Sequence, residues 1–225
     1  MYNLNMIKLF HGSDKEIVKP IYGYGRSDCD YGSGFYLSDD ESTAMMWAGQ
    51  NEQGGYINEY EIEVADLNVL WLNHNNDEDI LKWMALLCFN RIDQETRLRN
   101  KNEIDYLIAN YMPDLKNIDF IVGYRADDSY FDYTRSFLSN ELPIELLKKA
   151  MMLGKLGLQH VLISKKAFES IAFVKSSRVE HNNYYEQLEK TANNEYEELL
   201  KERKIGHTYL RDIIRENIRH QSDKK

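Results

Sequence analysis

Four short stretches of the chain hold the residue types that could do chemistry. "FHGSD" (10–14) puts His11 directly after an apolar run, with Gly12 and Ser13 behind it. "DYGSGFYLSD" (30–39) sets Gly32 and Gly34 against the aromatic pair Phe35 and Tyr36. "STAMMWA" (42–48) carries Trp47, and "YRADDSYFDYTRSF" (124–137) carries Arg125, Asp127, Asp128 and Tyr130. Glycine costs backbone entropy and packs nothing, so two of them at the start of a strand imply a tight turn or a ligand close to the backbone. Aromatic rings suit a binding cleft or a core equally well. The two aspartates follow an apolar run, in the kind of loop that often bears site residues. One of them also suits the N-cap of a helix over 129–139.

These residues need elements to position them. Residues 6–10 read as a buried strand that ends at His11. Residues 14–31, punctuated by Pro20, Gly23 and Gly25, read as loop. "GFYLS" reads as a second strand, and a helix follows with Ser38 and Glu41 as its capping box and Gly49 as its stop. In "YINEYEIEV" (56–64) the apolar residues fall on one face and Glu59, Glu61 and Glu63 on the other. Helical spacing covers 78–89 and 94–111, and Pro143 begins a helix over 143–153. "DFIVG" (119–123), "LQHVLIS" (158–164) and "IAFVK" (171–175) read as strands. From about residue 180 the pattern is helical, with balanced charges to the end. This order predicts an α+β fold, with one domain over 1–179 and a charged helical arm over 180–225.

Composition narrows the classes of function. The 225 residues carry a net charge of −9, which argues against a broad nucleic-acid or membrane footprint. The two cysteines, Cys29 and Cys88, have no metal-ligand spacing. No residue pattern implies a metal. A polar start, "MYNLN", and the lack of a long apolar run lead to the expectation of a cytoplasmic protein with no membrane partner.

Taken in order, His11-Gly12-Ser13, then Gly34-Phe35-Tyr36-Leu37-Ser38-Asp39, then Trp47 eleven residues after Tyr36, resemble the NAD-binding half of the ADP-ribosyltransferase superfamily. The closer likeness is to its poly(ADP-ribose) polymerase and diphtheria-toxin branch. The likeness covers about the first fifty residues, with a weaker echo at 158–175. More narrowly, the chain is similar to an uncharacterised bacterial family of that clan, often encoded as the toxin of a toxin–antitoxin pair. The resemblance implies a split β-sandwich, two small antiparallel sheets with NAD folded across the cleft between them. It implies that the nicotinamide ring stacks between Tyr36 and Trp47, that Gly12 holds its amide, and that His11 bonds the adenine-side ribose with Ser13 nearby. Gly34 is then the point where the cofactor crosses, and Arg26 a donor to the pyrophosphate.

The family's third element is an acidic residue, usually Glu, that stabilises the oxocarbenium ion as nicotinamide leaves. Here the matching position is Gln159, which hydrogen-bonds without charge. Either Gln159 suffices, or Asp127 or Asp128 supplies the carboxylate. The resemblance therefore implies a mono-ADP-ribosyltransferase with NAD as co-substrate, a protein or nucleic-acid acceptor, and a small antitoxin partner. The alternatives are an NAD glycohydrolase and a degenerate member that binds a nucleotide or a partner without catalysis.

Overall fold

In a computed structural model, residues 6–126, 128–153 and 157–222 are described, with backbone alone for 128–130 and 220–222. Seven strands form one mixed sheet in the order β4-β5-β6-β2-β1-β3-β7. They are β1 (Met6–Ser13), β2 (Phe35–Ser38), β3 (Gly55–Glu63), β4 (Val69–Leu72), β5 (Phe120–Gly123), β6 (Gln159–Leu162) and β7 (Ile171–Val179). The fold class is α+β. Hydrogen bonding joins all the strands, where the sequence reading expects two separate small sheets.

The sheet is nevertheless narrow in its middle. β1 pairs with β3 over eight residues, whereas β1 and β2 share the single pair Phe10↔Ser38. On one side of this junction lie β1, β3 and β7. On the other, β2 pairs with β6 and β6 with β5, both antiparallel, and β5 runs parallel to β4. The parallel pair needs a crossover. It is supplied by α2 (Asp77–Asn90), α3 (Gln94–Arg99) and α4 (Lys101–Tyr111).

Period-two alternation divides the strand residues between two faces. Leu9, Leu37, Phe120, Val122 and Leu162 bury on one face in a small cluster with Tyr60 and Ile62. Ile121 and Val161 face the larger core built by the helices, around Trp83, Met84, Tyr133 and Phe137. Further helices are α1 (Glu41–Ala48), α5 (Asp128–Leu138), α6 (Ile144–Ala150), α7 (Lys165–Glu169), α8 (Tyr184–Leu200) and α9 (Leu210–Ser222). Tyr196 and Leu199 of α8, with Leu210 of α9, bury in the same large core, so the charged arm packs back on residues 1–179.

Local chemistry moves several expected boundaries. Asp40, not Ser38, caps α1, accepting from the backbone amides of Ser42 and Thr43. Ser38 Oγ instead accepts from the Asp40 amide at 3.1 Å. The helix expected over 94–111 breaks at Asn100, whose φ of −117° and ψ of 35° are not helical. Glu59 is buried rather than on a solvated face, held between Lys8 at 2.6 Å and Lys175 at 3.4 Å. Opposite charges on adjacent strands make that burial tolerable.

Candidate functional site

A cleft of about 510 Å³ opens beside the narrow junction of the sheet. It is walled by β1, β2, α1, β6, the loop after β5 and the loop 26–30. His11, Gly12, Arg26, Tyr36, Trp47 and Gln159 all line it. They come from segments up to 148 residues apart (159 − 11). Ser13 and Gly34 do not line it. Asp127 lies outside the described residues. Asp128 is the first residue of α5, and its side chain lies outside them too.

His11 stands where the ladder opens. Continuing the register of Phe10↔Ser38 would place Gly12 opposite Tyr36, and that pair is not formed. The Tyr36 carbonyl instead accepts from His11 Nδ1 at 2.7 Å. A carbonyl can only accept, so this bond fixes the proton of the neutral ring on Nδ1 and leaves Nε2 as an acceptor. Burial lowers the pKa of His11, with the Tyr36 carbonyl opposing it. The ring also packs on Phe35, with centroids 4.6 Å apart. Behind it, the fully buried Asn58 donates to the carbonyls of His11 and Lys15 and to Ser13 Oγ. Ser13 Oγ in turn donates to the Lys15 carbonyl at 2.6 Å, so its hydroxyl holds the turn after β1.

The hydroxyl of Tyr36 is fully used. It accepts from the Tyr31 amide at 3.0 Å and donates to the Gly32 carbonyl at 2.7 Å. Burial pushes its pKa well up. What Tyr36 offers the cleft is its ring. Trp47 Nε1 is buried with no hydrogen-bond partner among the described residues, and the indole packs against Tyr185 of α8 at 5.3 Å. The Arg125 guanidinium lies 5.8 Å from the indole centroid.

The protein's own packing already requires glycine at these positions. A Cβ on Gly12 would lie 2.0 Å from the Ala44 carbonyl oxygen, so α1 packs directly on its backbone. A Cβ on Gly34 would meet Val161 at 2.6 Å. Gly32 has φ +78°, the left-handed turn that Tyr36 then ties.

Gln159 begins β6, between Ser38 of β2 and Gly123 of β5. It is 7% exposed, and its Oε1 has no hydrogen-bond partner among the described residues. A buried amide oxygen without a partner is costly, and a ligand hydroxyl would satisfy it. Arg26 is exposed at the rim, 3.6 Å from Asp28.

Sequence reasoning did not find Asp30, Arg91 or Tyr185, which line the cleft together with Arg125. Asp30 is 3% exposed and pairs with Arg91 at 2.7 Å. Its second oxygen accepts from the Ala126 amide at 2.8 Å, while Arg91 donates to the Ala126 carbonyl. Burial raises the pKa of Asp30, and the charge of Arg91 opposes that rise. The aspartate and Arg91 thus hold one residue, Ala126, by both its backbone amide and its carbonyl, and that residue follows Arg125. No local pattern announces a pairing of residues 61 apart (91 − 30).

No described helix is long and apolar enough to cross a membrane. No curated protein and no solved structure matches the chain. A family model described as a protein of unknown function (DUF3990) matches residues 7–173, which contain every cleft residue named above except Tyr185. The chain belongs to that family.

Proposed function

We propose that this protein is an NAD-dependent mono-ADP-ribosyltransferase. One observation carries the reading. His11, Tyr36, Trp47 and Gln159, which the family resemblance singles out in the sequence, line a single cleft where the two halves of the sheet part. In this reading the narrow β1–β2 junction is the counterpart of a split sandwich.

The residues present fit NAD. His11 Nε2 is an acceptor for a ribose hydroxyl, and the buried Gln159 Oε1 is an acceptor for another. The Tyr36 ring and the Trp47 indole supply flat apolar surfaces for nicotinamide, worth about 0.5–1.5 kcal/mol per stacked pair beyond the area buried. In the reaction the bond from nicotinamide nitrogen to ribose C1′ breaks, with its electron pair leaving on nicotinamide. The acceptor's nucleophile bonds to C1′ and gives up its proton. Gln159 presents a dipole rather than a charge to the oxocarbenium ion, and Asp127 or Asp128 is the alternative source of a carboxylate. The acceptor in this reading is a protein or a nucleic acid in the cytoplasm. The activity is that of a toxin held in check by a small antitoxin protein.

Labelled NAD incubated with the protein and a cell extract tests the reading, with nicotinamide release followed alongside. Label transferred to a macromolecule supports it, and no binding of NAD by the folded protein overturns it. Gln159→Ala is expected to lower release by about a hundred- to thousandfold, the loss of one transition-state contact of about 3–4 kcal/mol. Gln159→Glu is expected to keep or raise it. Release untouched in Gln159→Ala would move the stabilising role to an aspartate.

A second reading, a nucleotide-binding protein without transfer, is favoured by the uncharged Gln159. Asp30, the buried carboxylate of the cleft wall, is committed to Arg91 and Ala126. Tight NAD binding with no release of nicotinamide would establish it.

A further inference from the structure

The C-terminal arm reaches the cleft through a strap. After β7 the chain crosses the end of α1, where the Asn182 amide donates to the Gly49 carbonyl at 3.0 Å. His181 Nδ1 donates to the carbonyls of Gly49 and Asn51 at 3.0 and 3.1 Å. Asn182 Oδ1 then accepts from the Tyr184 amide at 3.2 Å, at the start of α8. Gly49 leaves room for this crossing, since a Cβ there would lie 1.8 Å from Asn182 Nδ2 and 2.5 Å from its Cγ. The next residue, Tyr185, lines the cleft and packs on Trp47. The strap residues themselves, 181–185, lie beyond residue 173, where the family match ends.

We infer that Tyr185 is a positioning residue, and that the arm is a working wall of the cleft. The inference rests on the functional reading in one respect, that Trp47 is a stacking surface for NAD. Trp47 has an unpartnered Nε1, so no hydrogen bond among the described residues fixes its ring. Packing must fix it instead, and Tyr185 supplies an aromatic contact at 5.3 Å with the planes 48° apart. A tilted pair of this kind restricts rotation of the indole. An indole held in its binding orientation loses less entropy when a ring stacks on it. Tyr185 therefore acts through Trp47, and the strap acts through Tyr185.

The experiment uses the full chain labelled with fluorotryptophan. The chain has three tryptophans and so gives three fluorine resonances, with that of Trp47 assigned by Trp47→Phe. In Tyr185→Ala the Trp47 resonance is expected to shift or broaden, and NAD affinity to fall about five- to tenfold. Tyr185→Phe keeps the ring and should restore both. Gly49→Ala should move the same resonance from outside the cleft. Its φ of −83° and ψ of −4° suit alanine, so the change dislodges Asn182 without straining the helix end. A Trp47 resonance at its wild-type position in Tyr185→Ala overturns the inference. So does unchanged NAD affinity, or a rise, which would make Tyr185 a plug. Should the wild-type chain bind no NAD, the functional reading fails, and the Trp47 resonance alone decides the role of the arm.

Discussion

Tyr36 has two separable jobs. Its hydroxyl ties the Tyr31 amide to the Gly32 carbonyl, and its ring faces the cleft. Tyr36→Phe keeps the ring and leaves a buried amide and carbonyl unpaired, which costs about 1–3 kcal/mol. Lower thermal stability with NAD affinity nearly intact is the expected result, read by scanning and titration calorimetry. Tyr36→Ala should lose both. His11 yields a pH prediction. Its pKa is lowered from the usual 6.5, chiefly by burial, so the unfolded chain binds a proton before the folded one does. Its contribution to stability is therefore whole above about pH 6.5 and falls away as the solution is acidified through and below that value. Melting temperatures of wild type and His11→Ala, compared at about pH 5 and about pH 7.5, should show a shallower acid loss in the variant. An equal loss in both would assign it to other groups. His11, Tyr36, Trp47 and Gln159 were picked out of the sequence through the family resemblance, and local pattern supplied only the strands, turn and helix that carry them.

Among elements, the contact of α1 with β1 sets the cleft's mouth. Gly12 is there because the carbonyl of Ala44 and the amide of Ala48 cross its Cα. Gly12→Ala should push α1 off the strand and cost at least about 1–3 kcal/mol, the usual penalty of overpacking. A variant of wild-type stability would mean that the helix moves freely. The resemblance gave Gly12 a ligand-holding role, and the packing of α1 is a second reason for glycine there. Only the register of helix against strand shows that the helix is the closer neighbour. The Asp30–Arg91 pair joins the 26–30 loop, the end of α2 and the loop after β5. Asp30→Ala would take one carboxylate away from Arg91 and leave the Ala126 amide without this acceptor, at a cost of about 1–3 kcal/mol for the orphaned amide alone. Denaturant unfolding measures it, and a loss under about 1 kcal/mol would mark the pair as merely superficial. Such long-range pairs carry no periodicity, which is why Asp30 and Arg91 were hidden while most strands and helices were not. β4 was missed for a related reason. Its four residues, Val69–Leu72, are fixed as a strand by pairing with β5, which lies about fifty residues further along the chain (120 − 69).

At the scale of the whole molecule, the balanced charges of residues 180–225 conceal an apolar stripe. Ala192, Tyr196 and Leu199 of α8 fall on one face of that helix, and all three are buried. Tyr196 packs on Tyr133 of α5 with ring centroids 4.0 Å apart, and the Thr208 carbonyl accepts from the Ile144 amide at the start of α6. The charges therefore belong to the solvent side of an element whose other side completes the core. Truncation after Val179 separates this view from that of a detachable arm. It would uncover the fully buried Tyr133 and remove Tyr196, Leu199 and Leu210 from the large cluster they join. Several large apolar side chains lose cover at once, each worth about 1.5–3 kcal/mol when fully buried. That sum is comparable to the whole stability of a domain, about 5–15 kcal/mol. The truncated chain is expected to aggregate, or to lose its cooperative melting transition, although the matched stretch 7–173 is intact. A soluble fragment 1–179 that melts cooperatively near the wild-type temperature would show instead that the arm is an appendage, and would confine its role to the placement of Tyr185.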